Sequence, residues 1–203
     1  MRQMNKIIGL LFIIVVGCNT GETDHTQTDS LMKSEAGKSE DPSSLYSATT
    51  SDWLDSNLQP GNKTLTLEEQ WTDDSLHSEP FVLNEEFISN YHTVLKWSPD
   101  STYILDIGSY GSIPVTDENG KTRLEGGEPD TEIALIDRKN NERTRYIFVG
   151  PSSTIIDAKW LSNNEVVVLG TFKTDTAHAD TLLWFIDRPE KLFRLYNVNT
   201  AHK

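Results

Sequence analysis

The sequence predicts an all-β domain of two four-stranded antiparallel sheets, carried behind an N-terminal signal and a disordered tether. Three observations predict it. From Tyr91 onward the chain alternates short β-branched and aromatic runs with turn residues, the pattern of antiparallel sheet. That pattern occurs twice, with Lys96-Trp97 matched by Lys159-Trp160 at an offset of 63 residues, and Asp130-Thr131 and Ile136-Asp137-Arg138 matched by Asp180-Thr181 and Ile186-Asp187-Arg188 at an offset of 50. All five Trp lie between Trp53 and Trp184, which places the core downstream of a polar N-terminal region.

The chain has 203 residues, with 18 Lys+Arg against 31 Asp+Glu and a net charge of -13. Such a charge offers no attractive field to a phosphate backbone, which excludes a nucleic-acid partner. The single Cys excludes an intrachain disulfide framework and any cysteine-based zinc cage. Arg2 and Lys6 form a basic start, followed by an apolar run from Ile7 to Val16. Ten residues are too few for a membrane-spanning helix, which takes about 20, so residues 1–17 read as a secretory signal.

The signal ends in Val15-Val16-Gly17-Cys18, which resembles the lipobox of bacterial lipoproteins. That resemblance implies cleavage before Cys18 and acyl chains (palmitate among them) on Cys18. The expected address is the bacterial cell envelope, on the inner or the outer membrane. Each buried methylene contributes about 0.8 kcal/mol, so the chains hold a domain at a membrane without inserting it. Loss of two basic residues with the signal leaves 16 Lys+Arg and 31 Asp+Glu, a charge of -15. Anionic lipid repels such a surface, so the acyl chains alone make the membrane partner.

Residues 18–50 hold Cys18 and a stretch of Ser, Thr, Asp, Glu, Gly and Lys without hydrophobic period, which predicts a disordered tether. As a flexible coil, its roughly 32 residues span ~30 Å, enough to lift a domain clear of lipid headgroups. Asp24, His25 and Asp29 fall here, where no fixed geometry could hold a metal. Residues 51–90 are an irregular N-terminal segment of the domain. Ser51-Asp52-Trp53-Leu54 reads as a helix start, and Thr66-Leu67-Glu68-Glu69 as a second with capping-box spacing, broken apart by Pro60-Gly61. Lys63 to Leu67 reads equally as a short strand.

Residues 91–200 divide into repeats at 91–150 and 153–199. Strands are expected at Val94–Trp97, Tyr103–Ile107, Ile133–Ile136 and Arg143–Val149, then at Ile156–Trp160, Val166–Leu169, Leu182–Ile186 and Leu192–Val198. Within the first copy, Lys96-Trp97-Ser98-Pro99-Asp100-Ser101 resembles the signature of the PD40 and WD40-like β-propeller repeats, so the sheets are expected to be propeller-blade-like. The second copy has Leu161-Ser162-Asn163 instead. Two blades cannot close a ring, which needs about four. The expectation is an open pair packed face to face, with the N-terminal segment covering an edge; the alternative is assembly of several chains. With Gly126-Gly127-Glu128-Pro129-Asp130-Thr131-Glu132 added, the whole pattern resembles uncharacterised lipoproteins of the Bacteroidota.

The offsets differ by 13 residues, 63 less 50, an insertion in the first copy between Gly108 and Asp130. Loops carried on a rigid sheet commonly hold binding residues. Here Asp117-Glu118-Asn119-Gly120 predicts a hairpin whose Asn-Gly supplies positive φ. Asp117, Asn119, Glu125, Glu128 and Asp130 are the candidate oxygen ligands for a cation or small ligand, although their spacing is not that of an EF-hand. Asp137-Arg138 and Asp187-Arg188 sit where strands enter turns, positions that suit caps and local pairs. Trp97, Trp160 and Trp184 read as core.

No catalytic residue, metal site or cofactor motif is assigned. His77, His92, His178 and His202 lack metal-ligand spacing, no Gly-x-Ser-x-Gly elbow occurs, and no phosphate-binding glycine pattern is found. Glu85-Glu86 and Asp73-Asp74 are sequence neighbours, which strand geometry would turn to opposite faces. The expected function is a lipid-anchored envelope β module that binds a protein partner or an envelope glycan. The rival is an envelope hydrolase with its site in the 108–130 insertion.

Overall fold

A computed structural model describes residues 48–127, 129–175 and 178–200. The expected signal, Cys18, the expected tether up to residue 47, Glu128 and His202 lie outside the described residues. The chain enters through helix α1 (Ala48–Asn57), strands β1 (Lys63–Thr72) and β2 (Ser78–Pro80), and helix α2 (Glu85–Tyr91). The first repeat follows as β3 (Leu95–Trp97), β4 (Tyr103–Asp106), β7 (Thr131–Asp137) and β8 (Glu142–Val149), with the hairpin β5 (Ser112–Thr116) and β6 (Thr122–Gly126) inserted after β4. The second repeat is β9 (Ser153–Trp160), β10 (Glu165–Lys173), β11 (Ala179–Asp187) and β12 (Leu192–Thr200).

All eight expected repeat strands are present, and each repeat is an antiparallel meander, but the sheets have five strands rather than four. Strand β1 pairs along β12 and β2 pairs along β8, so the N-terminal segment extends one outer edge of each meander. The choice left open at Lys63–Leu67 resolves to a strand that continues to Thr72; a helix at Thr66 does not form, because the nine-residue strand β12 offers an edge along its whole length. Ser51-Asp52-Trp53-Leu54 does lie in a helix, α1, which begins at Ala48, slightly before the boundary expected at residue 51. Residues 51–90 are therefore ordered elements and not an irregular segment, and the fold is mostly β with two short helices.

The two large sheets face each other. Leu105, Ile133 and Leu135 of one meet Trp160, Val168, Trp184, Ile186 and Phe193 of the other in the main core. The opposite face of the second sheet, with Val167, Leu169, Phe185 and Tyr196, is covered by Leu54 and Trp53 of α1. The opposite face of the first, with Leu95, Ile104 and Ile136, is covered by Phe87 and Tyr91 of α2. Strands apolar on both faces read as continuous runs such as Val166-Val167-Val168-Leu169, which explains their unbroken hydrophobicity. Helices thus occupy the outer faces that a further sheet would need.

The two sheets share a turn conformation and touch at positions related by the sequence offsets. Asn141 and Lys191, 50 residues apart, both take positive φ in the turn joining the last two strands. Asp100 donates its amide to the side chain of Asn163, its counterpart at the 63-residue offset, at 3.1 Å. Trp160, the counterpart of Trp97, donates to the Lys96 carbonyl at 2.8 Å. Trp160 and Trp184 are core as expected, whereas Trp97 is 38 % exposed, because its strand β3 is an edge of its sheet.

One carboxylate ties three elements together. Asp157 on β9 accepts from the Trp53 indole of α1 at 2.8 Å and pairs with Lys96 of β3 at 2.6 Å. Burial pulls its pKa upward, but hydrogen bonds from Lys96, Trp53 and the Ala158 amide outweigh this and hold the carboxyl below the usual range. A depressed folded pKa means stabilisation present above the unfolded value, about 3.9, and lost as pH falls through the folded one. Asp157→Asn is expected to cost about 2 kcal/mol at pH 7. The difference between variant and parent, followed by urea unfolding, should shrink as the pH is lowered below 4; a gap independent of pH would refute the ionic origin.

Candidate functional site

The site begins with Asp106, the last residue of β4, whose side chain is fully buried on the α2 side of its sheet. One oxygen accepts from the amides of Gly108 (3.2 Å) and Ser109 (2.8 Å), so the carboxylate shapes the turn that launches the insertion. Its other oxygen takes the Ser109 hydroxyl and Arg143 Nη2 at 3.0 Å. Arg143 also donates to Glu132 of β7, and Arg145 donates to the second oxygen of Glu132. Two buried carboxylates and two arginines therefore form one neutral cluster, each carboxylate oxygen having a cationic or turn-forming donor. Burial of such charges is tolerated only when they are paired in this way.

A bulge decides which residues join the cluster. Ile133 pairs with Ile147 but Ala134 pairs with Arg145, so β8 carries an extra residue, Tyr146, at this point. Residues three apart on a regular strand face opposite sides, but the bulge restores Arg145 and Phe148 to the same face. The Arg145 guanidinium lies over the Phe148 ring, 5.0 Å from its centroid. Phe148 meets Tyr110 of the insertion edge to face, with centroids 5.6 Å apart. Both rings remain open to solvent, Phe148 by 46 % and Tyr110 by 37 %. Beside them a cleft of about 320 Å³ opens between the β1–β2 connection, with Ser75 and His77, and Glu79, Glu132 and Arg143.

The hairpin leaves this surface as a separate two-stranded sheet and rests on α2, with the Tyr91 hydroxyl donating to the Ser112 carbonyl at 3.2 Å. Its turn differs from the expected Asn-Gly pair: Gly120 alone has positive φ (+79°) and Asn119 does not. Asp117 accounts for this, since its carboxylate accepts from the amides of Asn119 and Lys121, both at 2.9 Å, and so closes a longer loop.

Of the five candidate oxygen ligands, the four described ones, Asp117, Asn119, Glu125 and Asp130, form no common cluster. Asp117 is spent on its own turn, Asn119 is at the tip, and Glu125 pairs with Arg123 at 2.7 Å near the hairpin base. Asp130 precedes β7, and Glu128 lies outside the described residues. Among the described residues no group of three or more His, Cys, Asp or Glu is placed to hold a metal ion. The Asp-Arg pairs are structural. Asp137 accepts from the amides of Lys139 and Asn140, Arg138 donates to the Ser101 carbonyl and covers Trp97, and Arg188 bonds Asn164 and covers Tyr103. The acidic pair Glu85-Glu86 forms the first turn of α2, where the helix dipole favours it, behind an Asn84 cap. His178 pairs with Asp175 in an exposed loop.

Phe148, Arg145 and Tyr110 are the residues that sequence reasoning missed. Strict alternation sends Arg145 and Phe148 to opposite faces, and only the bulge at Tyr146 unites them. Comparison with protein-family models, curated proteins and solved structures finds no match for this chain. No described helix is long and apolar enough to cross a membrane.

Proposed function

We propose that the protein is a lipid-anchored module of the bacterial cell envelope that acts by binding a protein partner or an envelope glycan. The observation that carries this reading is the solvent-open Tyr110–Phe148 pair, held by the insertion on one side and by a buried ion cluster below. Unlike the separately exposed Trp97 and Phe172, these two rings touch each other and form one small apolar patch beside a charged side chain, the composition of a recognition surface. The anchor is Cys18, with residues 19–47 as spacer. The two sheets are read as propeller-blade-like repeats that form an open pair; their support is the shared turn conformation at Asn141 and Lys191 and the contact between Asp100 and its counterpart Asn163.

Crosslinking in intact cells with the lipidated protein as bait, read by mass spectrometry, tests the binding reading. A reproducible envelope component, lost with Phe148→Ala, is expected; capture unchanged by that variant would move the binding face elsewhere. The anchor is tested separately. Cys18→Ser should transfer the protein from the membrane to the soluble fraction, and continued membrane association would sink the lipoprotein reading.

A further inference from the structure

We propose that the Tyr110–Phe148 surface is a subsite for an acidic sugar, with the rings taking the apolar face of a pyranose and Arg145 taking its carboxylate. This rests on the binding reading above and names its ligand class. The arginine carries the argument. Arg145 is held by Nε on buried Glu132, and its guanidinium carbon lies 5.0 Å from the Phe148 ring centroid. Its terminal nitrogens, on a side chain 58 % exposed, have no partner among the described residues. An arginine held in this manner presents its remaining donors as a preorganised fork, the geometry that matches a carboxylate bidentately.

Donor geometry and size narrow the ligand further. Asp106 and Glu132 balance Arg143 and Arg145, so the cluster carries no surplus charge and it is the unused terminal donors of Arg145 that would take a carboxylate. The apolar platform consists of two rings, Phe148 and Tyr110, with Ile113 of the hairpin 56 % exposed nearby in the insertion. A stable protein interface takes roughly 800 Å² from each partner, several times what two partly exposed rings supply. A sugar ring with one carboxylate fits that footprint.

The test uses the chain with Cys18→Ser to keep it in solution. Oligomers of galacturonate, of mannuronate and of N-acetylmuramate serve as probes, with methyl-esterified oligogalacturonate as the uncharged control, read by isothermal titration calorimetry. At least one acidic oligomer is expected to bind, the ester at least tenfold more weakly. Arg145→Gln and Phe148→Ala should each weaken binding at least tenfold, with far-UV circular dichroism unchanged. Should Arg145→Gln disturb folding, Tyr110→Ala, which touches no buried charge, provides the second reading. Equal binding of ester and acid would overturn the carboxylate assignment. Failure of all three probes at millimolar concentration would overturn the glycan class, while the cellular crosslinking with Phe148→Ala still decides whether this face binds a protein.

Discussion

Glu132→Ala is expected to destabilise the domain by about 3–5 kcal/mol, the usual cost of removing one partner from a buried ion pair. Guanidinium unfolding followed by tryptophan fluorescence should show the lower midpoint. The Glu132 side chain is only 1 % exposed, and its two oxygens are held by two different arginines. Arg145 can turn to water when the carboxylate is gone, so the cost falls mainly on Arg143, which is left with Asp106 alone. Two further variants separate charge from volume. Glu132→Gln keeps an acceptor and fills the space, and should cost about 1–2 kcal/mol. Replacing Glu132 and Arg143 together by leucine should cost less than the sum of the single changes, because the loss of their mutual pairing is counted once instead of twice, although buried Asp106 still loses its cation. Strict additivity would show that the two residues act independently and would remove the cluster as the support of Arg145.

The antiparallel β architecture was legible because it is written in local chemistry. The turn at Ser98–Ser101 is recognisable from Pro99 and from Asp100, whose carboxyl is held below the usual range by the Thr102 amide and the Ser98 hydroxyl. Strand β10 was recognisable from its β-branched run, and the inserted hairpin from the Gly120 turn. What the residues could not show locally was partnership across the chain. Thr66-Leu67-Glu68-Glu69 satisfies a capping box, yet it forms a strand because β12, some 130 residues later, supplies hydrogen bonds along its length. Lys63–Leu67 therefore stayed open between helix and strand, and the short strand Ser78–Pro80 was not legible at all. The proposed binding face was hidden for another reason: Asp117, Glu125 and Asp130 are conspicuous acids that turn out to serve local turns and pairs or to stand apart. Arg145 and Phe148 are inconspicuous strand residues brought together by one bulge, and no residue type marks that bulge in advance.

Gly170→Ala is expected to destabilise the domain by about 3 kcal/mol, the upper part of the range for overpacking a core. For a domain of this size that corresponds to a fall of roughly 6–12 °C in Tm, measurable by calorimetry. The cause is a second bulge, where β10 pairs Leu169 with Asp157 but Gly170 with Ile155. A Cβ on Gly170 would stand 2.8 Å from the Thr154 carbonyl oxygen and 3.0 Å from Cζ3 of Trp184. The first neighbour is backbone within a paired strand and the second is a core ring, so neither can yield cheaply. Gly126 is the matching control, since a Cβ there meets nothing within 4 Å, and Gly126→Ala should leave Tm within about one degree. Strand β9 must shift to admit the methyl group, and β9 also carries Asp157, the carboxylate that bonds Trp53 of α1 and Lys96 of the facing sheet. Gly170→Ala should therefore be non-additive with Asp157→Asn, the double variant losing less than the sum of the two. Simple additivity would mean that β9 absorbs the methyl group without moving Asp157, and that the bulge and the sheet-to-sheet tie are independent.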